Sequence, residues 1–447
     1  MMNLPEKIKN IWSVLESAGH PTFLVGGAVR DHFLGHEPHD FDLATKAKPE
    51  EIISLAKKNF PEADIDFVGA TFGVVLIDGI EIATFRGDRY NGNGNEKDVS
   101  ISFVDTIEED LSRRDFTWNA MAISSIGEVI DPFNGYEDLE NGIIRFVGDP
   151  NVRIAEDANR IIRLCRFVAK NDFEINFETF KAVRDNLHLV SSIAPERIKM
   201  EIMKAMELKN ASAFWGALLT VGVLEMILPE MAESWNHTGG KFHTETVWDH
   251  MMLAGDHVST KFPMVKLAAY LHDIGKPLAY KIAGDGSFSG HEVLGKDIIV
   301  SRLRDLRFSN DEISQIAGLC NFHMRQMFDL SPKARRKLKK DLNEANLSWK
   351  DLTRIRIADS KANIAKDALA LHEIKNIVCG CTMVEEVVFS THSLAVSGKD
   401  LIREWELSPG PIVGKLQKFL LSFSIEEGNN DPDCLLLKSK DFFLDND

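Results

Sequence analysis

The sequence predicts an α+β fold class: a compact α/β or α+β unit up to about residue 145, followed by helices as far as the C-terminus. Three observations predict it. Short apolar runs bounded by turn residues alternate with helix-spaced runs in the first third of the chain. From residue 153 onward apolar residues recur at helical spacing. A length of 447 residues exceeds one ordinary core, so two to four domains are expected.

Residues 6–18 form a helix with Ile8, Ile11, Trp12 and Leu15 on one face. Phe23-Leu24-Val25 is a short buried strand running into Gly26-Gly27. Alternating strand and helix segments follow at Phe41 to Leu43, Glu51 to Lys58, Phe72 to Ile77, Glu81 to Phe85 and Met121 to Ser124. In the helical part, Ile154, Ile161, Leu164 and Val168 share a face. Asn236-His237-Thr238-Gly239-Gly240 reads as a boundary loop, and the acidic stretch from Glu426 to Asp447 as a partly ordered tail.

Composition narrows the class. Hydrophobic content of 44% and charged content of 27% are ordinary for a globular protein. No apolar stretch reaches the ~18 residues of a membrane span, and the N-terminus lacks the layout of a secretion signal, so no membrane partner is expected. The five cysteines (Cys165, Cys320, Cys379, Cys381 and Cys434) form no disulfide or zinc pattern, which fits a reducing cytosol. A net charge of −16 argues against a general nucleic-acid coat, although a few placed arginines and lysines suffice for a local groove. The cluster Lys333, Arg335, Arg336, Lys337, Lys339 and Lys340 is compatible with a solvated helix face or with RNA contact.

The first chemical constellation begins at Gly26-Gly27-Ala28-Val29-Arg30-Asp31, between a strand and a helix. Two glycines permit close approach of a triphosphate, and Arg30 adds positive potential; alone, the pair is equally a turn. Asp40-Phe41-Asp42 follows. In a strand both carboxylates would share a face and suit Mg²⁺, while a charged strand end is the plain alternative. Glu81 opens an apolar strand, where an unpaired carboxylate is costly, and offers a third ligand. Two ions on three such carboxylates activate a 3′-hydroxyl and stabilise leaving pyrophosphate. Arg113-Arg114-Asp115-Phe116-Thr117-Trp118-Asn119 places adjacent arginines either in a surface ion pair or in a triphosphate clamp. Asp157, Arg160 and Arg163, taken as one helix, fit either i,i+3 salt bridges or recognition of a base, since Asp accepts from an exocyclic amino group and Arg donates to ring acceptors.

These segments, with Asp131-Pro132-Phe133 through Leu139 and Glu156-Asp157-x-x-Arg160, closely resemble in identity and order the class II CCA-adding enzymes and the related bacterial poly(A) polymerases. The resemblance covers residues 20 to about 200, and the remainder more loosely. It implies a polymerase-β-like nucleotidyltransferase head (1–145), an all-α neck for base recognition (146–235), a helical body (236–365) and a helical tail (366–447). It further implies transfer from CTP and ATP to tRNA, selected by the protein itself. Asp40 and Asp42 hold Mg²⁺ and act in catalysis with Glu81. Gly26, Gly27, Arg30, Arg114, Asp115, Asn119, Arg163 and Arg166 bind the nucleotide, Asp157 and Arg160 pair with its base, and Arg197 braces the site. One departure stands out: the loop from Gly87 to Asp98 has Tyr90 but lacks the family's common Arg-Arg-Pro, a region needed for the switch from C to A. The alternatives are a poly(A) polymerase, a partial CC- or A-adding enzyme, or an RNA-binding protein with an inactive head. Poly(A) polymerases of this group usually carry a basic C-terminal extension, whereas this tail is acidic.

A second constellation, His250, His272-Asp273-Ile274-Gly275-Lys276, His291, His323 and Asp359, lies in apolar helical frames. Imidazole with carboxylate suits a transition metal. The order resembles HD-domain phosphohydrolases, which implies His250, His272, Asp273 and Asp359 as ligands of one ion such as Mn²⁺, Ni²⁺ or Co²⁺. His291 and His323 match the extra ligands of two-metal members. The complete set favours an active phosphohydrolase over a helical spacer.

Overall fold

The computed structural model describes residues 4–38, 40–68, 73–90, 99–238, 245–327, 330–364 and 390–444. These form two compact units, residues 1–227 and 228–447.

In the first unit the helix Glu6–Ser17 buries Ile8, Ile11, Trp12 and Leu15, the expected face. The strands are β1 (Thr22–Val25), β2 (Asp42–Thr45), β3 (Ile65–Val68), β4 (Val74–Ile77), β5 (Ile80–Thr84), β6 (Arg86–Tyr90), β7 (Val99–Phe103), β8 (Ala122–Ser124), β9 (Val129–Ile130), β10 (Ile143–Ile144) and β11 (Glu174–Ile175), the last of which pairs with β10 and interrupts the expected all-α neck. Seven of them make one sheet in the order β3-β4-β5-β2-β1-β8-β9. The β2–β5 pair is parallel, with Leu43 opposite Ile82, while β1 runs antiparallel to both β2 and β8. Val25, Ala44, Phe85, Ile107, Leu111, Ala120 and Ala122 are buried together under this sheet. Helices Pro150–Glu156, Asn159–Asn171, Phe177–Asp185, Pro195–Met206 and Ser212–Val221 continue the unit.

Three expectations change here. The strand begins at Asp42, so Asp40 lies outside it and is exposed. The supposed loop after Arg86 starts as β6, paired with β7 from Arg86↔Phe103 to Tyr90↔Val99; residues 91–98 lie outside the described residues, as does Phe72. The helix read across Glu156–Arg166 is two helices. Asp157, at φ −153° and ψ 99°, separates them and accepts a hydrogen bond from Asn159 N–H at 3.0 Å. Its carboxylate thus holds the Asn159 amide, a local side-chain to backbone turn just ahead of the second helix.

The second unit is helical among its described residues: Val247–Asp256, Pro263–Leu271, Lys276–Ala283, His291–Asp305, Asn310–Phe322, Pro332–Glu344 and Trp349–Ala362, then Gly398–Glu404, Pro411–Glu427 and Pro432–Leu444. Thr246 with Asp249 and Ser309 with Glu312 form capping boxes that fix two of the starts. The segment after Glu426 contains a helix, Pro432–Leu444, more ordered than its acidic composition indicates. Leu435 is buried with Leu394, Leu401, Leu416 and Leu420, and this packing supplies what composition does not show. Within the basic cluster, Arg336 donates to the Ile425 carbonyl at 2.6 Å, capping the Pro411–Glu427 helix, and Lys333 pairs with Glu426 at 3.3 Å. Gly239, Gly240, His243, Cys379 and Cys381 lie outside the described residues. No helix among the described residues is long and apolar enough to cross a membrane.

Candidate active site and metal centre

In the first unit one cavity of about 480 Å³ gathers most of the predicted residues: Gly26, Gly27, Arg30, Asp42, Glu81, Arg114, Asp115, Asn119, Asp157, Arg160 and Arg163. Seven arginines against four acids line it in a chain of net charge −16, so the positive charge is local and suits a polyanion.

Its acidic end is built by the sheet. Asp42 opens β2, and the parallel β2–β5 register that sets Leu43 beside Ile82 brings Glu81 next to it. Burial, then the Glu81 charge, raises the Asp42 carboxyl to about 6 against the opposing pull of Arg114; exposed Asp40 adds to the rise. Such mutual repulsion is what a divalent cation relieves, so the donor set fits Mg²⁺. Gly26 sits at φ 70°, and a Cβ there would meet Asp42 Oδ2 at 3.3 Å; the glycine permits both the turn and the approach.

The arginine wall rests on buried anchors. Asp110, fully buried, accepts from Arg113 at 2.8 Å and from Arg114 at 3.1 Å, which rules out a plain surface pair. Spacings of three and four residues across the end of the helix Ile107–Ser112 were the available sequence signal for Asp110. Asp115 binds Arg163 at 2.6 Å and accepts from Asn119 at 3.1 Å. Burial alone would raise Asp115, but the Arg163 charge and these hydrogen bonds hold it down at about 2. Asn119 in turn accepts from buried Arg30 at 3.2 Å. Arg166 departs from expectation: it pairs with buried Glu201 at 2.5 Å and packs over Phe167, outside the cavity lining. Phe167 and Arg86 also line the cavity, and Arg113 does so beside Arg114.

At the other end of the cavity Asp157 and Arg160 find partners outside the Asp157, Arg160 and Arg163 series. Asp157 is gripped by Arg197 through two bonds of 2.8 Å, and Arg160 reaches Glu156 at 2.7 Å and the Arg153 carbonyl at 2.8 Å. Both side chains are thereby held at the helix break, facing the same cavity as Asp42.

The second unit assembles the predicted histidines and acids. His250 Nε2 lies 3.0 Å from Asp359 Oδ1 and 3.7 Å from Asp273 Oδ2, while His272 Nε2 is 3.1 Å from Asp273 Oδ2. On the other oxygen, His291 Nε2 is 3.0 Å and His323 Nε2 3.5 Å from Asp273 Oδ1. Nδ1 of His272, His291 and His323 meets the carbonyls of Ala269, Phe288 and Cys320 at 2.8, 2.9 and 2.5 Å. A carbonyl only accepts, so each Nδ1 carries a proton, and each Nε2, where a cation takes the place of any proton on it, presents a lone pair inward. His272 Nε2 is buried without a hydrogen bond. Lone pairs facing carboxylates at these separations fit ligands about 2.0–2.2 Å from a shared cation. Two triplets arise, His250-His272-Asp273 and Asp273-His291-His323, with Asp273 common to both. Gly275 allows it: a Cβ there would fall 2.1 Å from the His291 carbonyl, so only glycine lets the His272-Asp273 turn press against that helix. Lys276, from the quoted His272 to Lys276 run, at 2.7 Å from Asp273 and Arg356, which no motif contained, at 2.8 Å from Asp359 hold the acids. Burial would raise Asp273, but His272 and Lys276 hold it well below the usual carboxylate range.

The family model "Poly A polymerase head domain" matches residues 22–145, "Probable RNA and SrmB- binding site of polymerase A" residues 172–234, and "HD domain" residues 242–374. Both the nucleotidyltransferase and HD families are metal-dependent. A CCA-adding enzyme of Ligilactobacillus salivarius is 41% identical over 215 residues, 46% of this chain; the match spans about half (52%) of that relative. A solved Bacillus stearothermophilus CCA-adding enzyme in complex with CTP has the same fold, with a TM-score of 0.69 at 24% identity over 99% of this chain and all of that one. A Thermotoga maritima CCA-adding enzyme complexed with tRNA_CCA also shares the fold, with a TM-score of 0.56 at 19% identity, over 98% of this chain and 96% of that one. A CCA-adding enzyme of Pediococcus pentosaceus is 30% identical over 441 residues, 97% of this chain and 98% of that relative; with this near end-to-end match, the chain belongs to the CCA-adding enzyme family.

Proposed function

We propose that this cytoplasmic chain adds C, C and A to the 3′ end of tRNA, taking nucleotides from CTP and ATP. The observation that carries the reading is the two-ended cavity, with Asp42 and Glu81 at one end, Asp157 and Arg160 at the other, and arginines between. Asp42 and Glu81, with Asp40 adjoining, would hold Mg²⁺, which lowers the pKa of the 3′-hydroxyl and stabilises the leaving pyrophosphate. Arg114 and Arg163, fixed by Asp110 and Asp115, bind the triphosphate, with Arg30 and Asn119 beneath. Asp157 and Arg160, held by Arg197 and Glu156, read the base edge. Arg166 supports Phe167 from behind rather than touching the nucleotide. Residues 1–145 serve as head and 146–235 as neck; 236–365 carry the HD centre and 366–447 the tail.

Base reading by Asp157 is tested with Asp157→Ala. Losing one hydrogen-bonded pair costs about 1–3 kcal/mol of discrimination, so misincorporation of UTP or GTP relative to CTP should rise roughly 5- to 150-fold. Equal loss with all four nucleotides would make Asp157 a structural residue.

A second activity is favoured by the paired triplets around Asp273: hydrolysis of phosphoesters, among them the 2′,3′-cyclic phosphate of a damaged RNA end, which must be opened before CCA is rebuilt. Here His250, His272, Asp273 and Asp359 would hold one ion such as Mn²⁺, Ni²⁺ or Co²⁺, and His291 and His323 with Asp273 a second. Such ions would supply, near neutral pH, the deprotonated water that attacks phosphorus.

A further inference from the structure

The HD centre is flanked by aromatic rings that the chemistry of its metal ligands does not require. Phe288, whose carbonyl fixes His291, turns its ring under the Lys276 ammonium at 5.5 Å, and the same ammonium touches Asp273 Oδ2 at 2.7 Å. One side chain therefore bridges the metal-site carboxylate and a ring face. Tyr280 follows at 5.9 Å from Phe288, tilted by 38°, and His237 at 5.4 Å from Tyr280. Burial does not account for this row, because Tyr280 is 44% exposed. It stands on a helix, Lys276–Ala283, that also exposes Leu278 and Ile282. An aromatic face beside a cation and a phosphate-attacking centre matches a ligand that joins a flat base to a phosphate through one ribose.

We propose that Tyr280 and Phe288 form a base-stacking wall that makes the HD centre select nucleoside phosphates, free or at an RNA end, over phosphoesters without a base. The inference rests on the phosphohydrolase reading above. The reaction is balanced by water alone: its oxygen bonds to phosphorus, one phosphorus–oxygen bond to ribose breaks, and the released ribose oxygen takes a proton from the water. Lys276, now 2.7 Å from Asp273, would be free to meet the phosphate where a cation neutralises that carboxylate.

The test uses the full chain loaded with Mn²⁺, Ni²⁺ or Co²⁺. kcat/KM is measured for adenosine 2′,3′-cyclic phosphate, for a short RNA ending in a 2′,3′-cyclic phosphate, and for glycerol 1,2-cyclic phosphate, which has no base. Wild type should prefer both base-bearing esters. Tyr280→Ala should lower that preference about tenfold, within the range for loss of one stack, and Tyr280→Trp should restore it, with metal content equal in all three proteins. A preference confined to the RNA would assign the wall to RNA ends, and one shared by the free nucleotide to nucleotides at large. Unchanged preference in Tyr280→Ala overturns the stacking wall while the phosphohydrolase stands. A wild type that holds no transition metal and cleaves none of the three esters overturns both.

Discussion

Replacing Asp42 with alanine is expected to reduce nucleotide addition to tRNA by more than about 100-fold, beyond the usual cost of losing a metal ligand's outer partner. Asp42 is where the sheet concentrates its acidic potential: it opens β2, faces Glu81 across the parallel pair, and lies where the Gly26 turn leaves room for close approach. The same geometry argues that the variant stays folded. Burial and the Glu81 carboxylate push Asp42 up to about 6, so its ionised form at neutral pH opposes folding in the absence of a cation. Removing it should leave Tm in metal-free buffer equal to wild type or higher, and tRNA binding nearly unchanged. Thermal melts, a binding titration and primer-extension rates check the three parts together. Unchanged addition would remove this site from the reaction.

Asp273→Ala should have the other large effect, loss of transition-metal binding and of phosphoester hydrolysis, again by more than about 100-fold. Its two oxygens serve different histidine sets: Oδ2 faces His250 and His272, and Oδ1 faces His291 and His323. One substitution therefore dismantles both triplets. Because Lys276 is largely buried against Asp273, Asp273→Asn is the companion that keeps volume and a hydrogen-bonding oxygen. Both variants should add CTP at the wild-type rate, since the transferase cavity draws on none of these residues. Elemental analysis and paired assays read the result; retained metal and hydrolysis in both variants would contradict the ligand assignment.

Much of this was legible in the sequence because it is local. Gly26-Gly27 after an apolar strand and the apolar face of residues 6–18 each depend on nearby residues, and the structure forms them; of the histidines, His250 lies inside a helix, whereas His272 and His323 follow helix ends and His291 begins one. What escaped is long-range. The break at Asp157 is invisible to periodicity because apolar spacing runs on from Ile154 through Ile161 to Leu164; the residue leaves the helix to meet Arg197, forty positions away. Arg166 shares a motif with Arg163, yet Glu201 claims it while Asp115 claims Arg163. Asp40 and Asp42 look equivalent by alternation, but the strand's pairing begins only at Asp42 opposite Val25. Composition reads the last segment as a partly ordered tail, and only the resemblance points to helix there, because burial of Leu435 depends on Leu416 and Leu420. The HD centre was complete in residue identity, whereas the tautomers and the bridging role of Asp273 came only from the carbonyls and distances around it.

The central claim, that one cavity selects first C and then A without a template, is tested most directly by sequencing what the purified chain adds to a tRNA lacking its CCA end, with CTP, ATP and Mg²⁺ present. The account predicts C, C and a single A, then arrest, with addition ending after CC when ATP is withheld. Long A tracts without C would contradict it and indicate a poly(A) polymerase, and arrest after CC with ATP present would show that the 87–98 region does not support the switch to A.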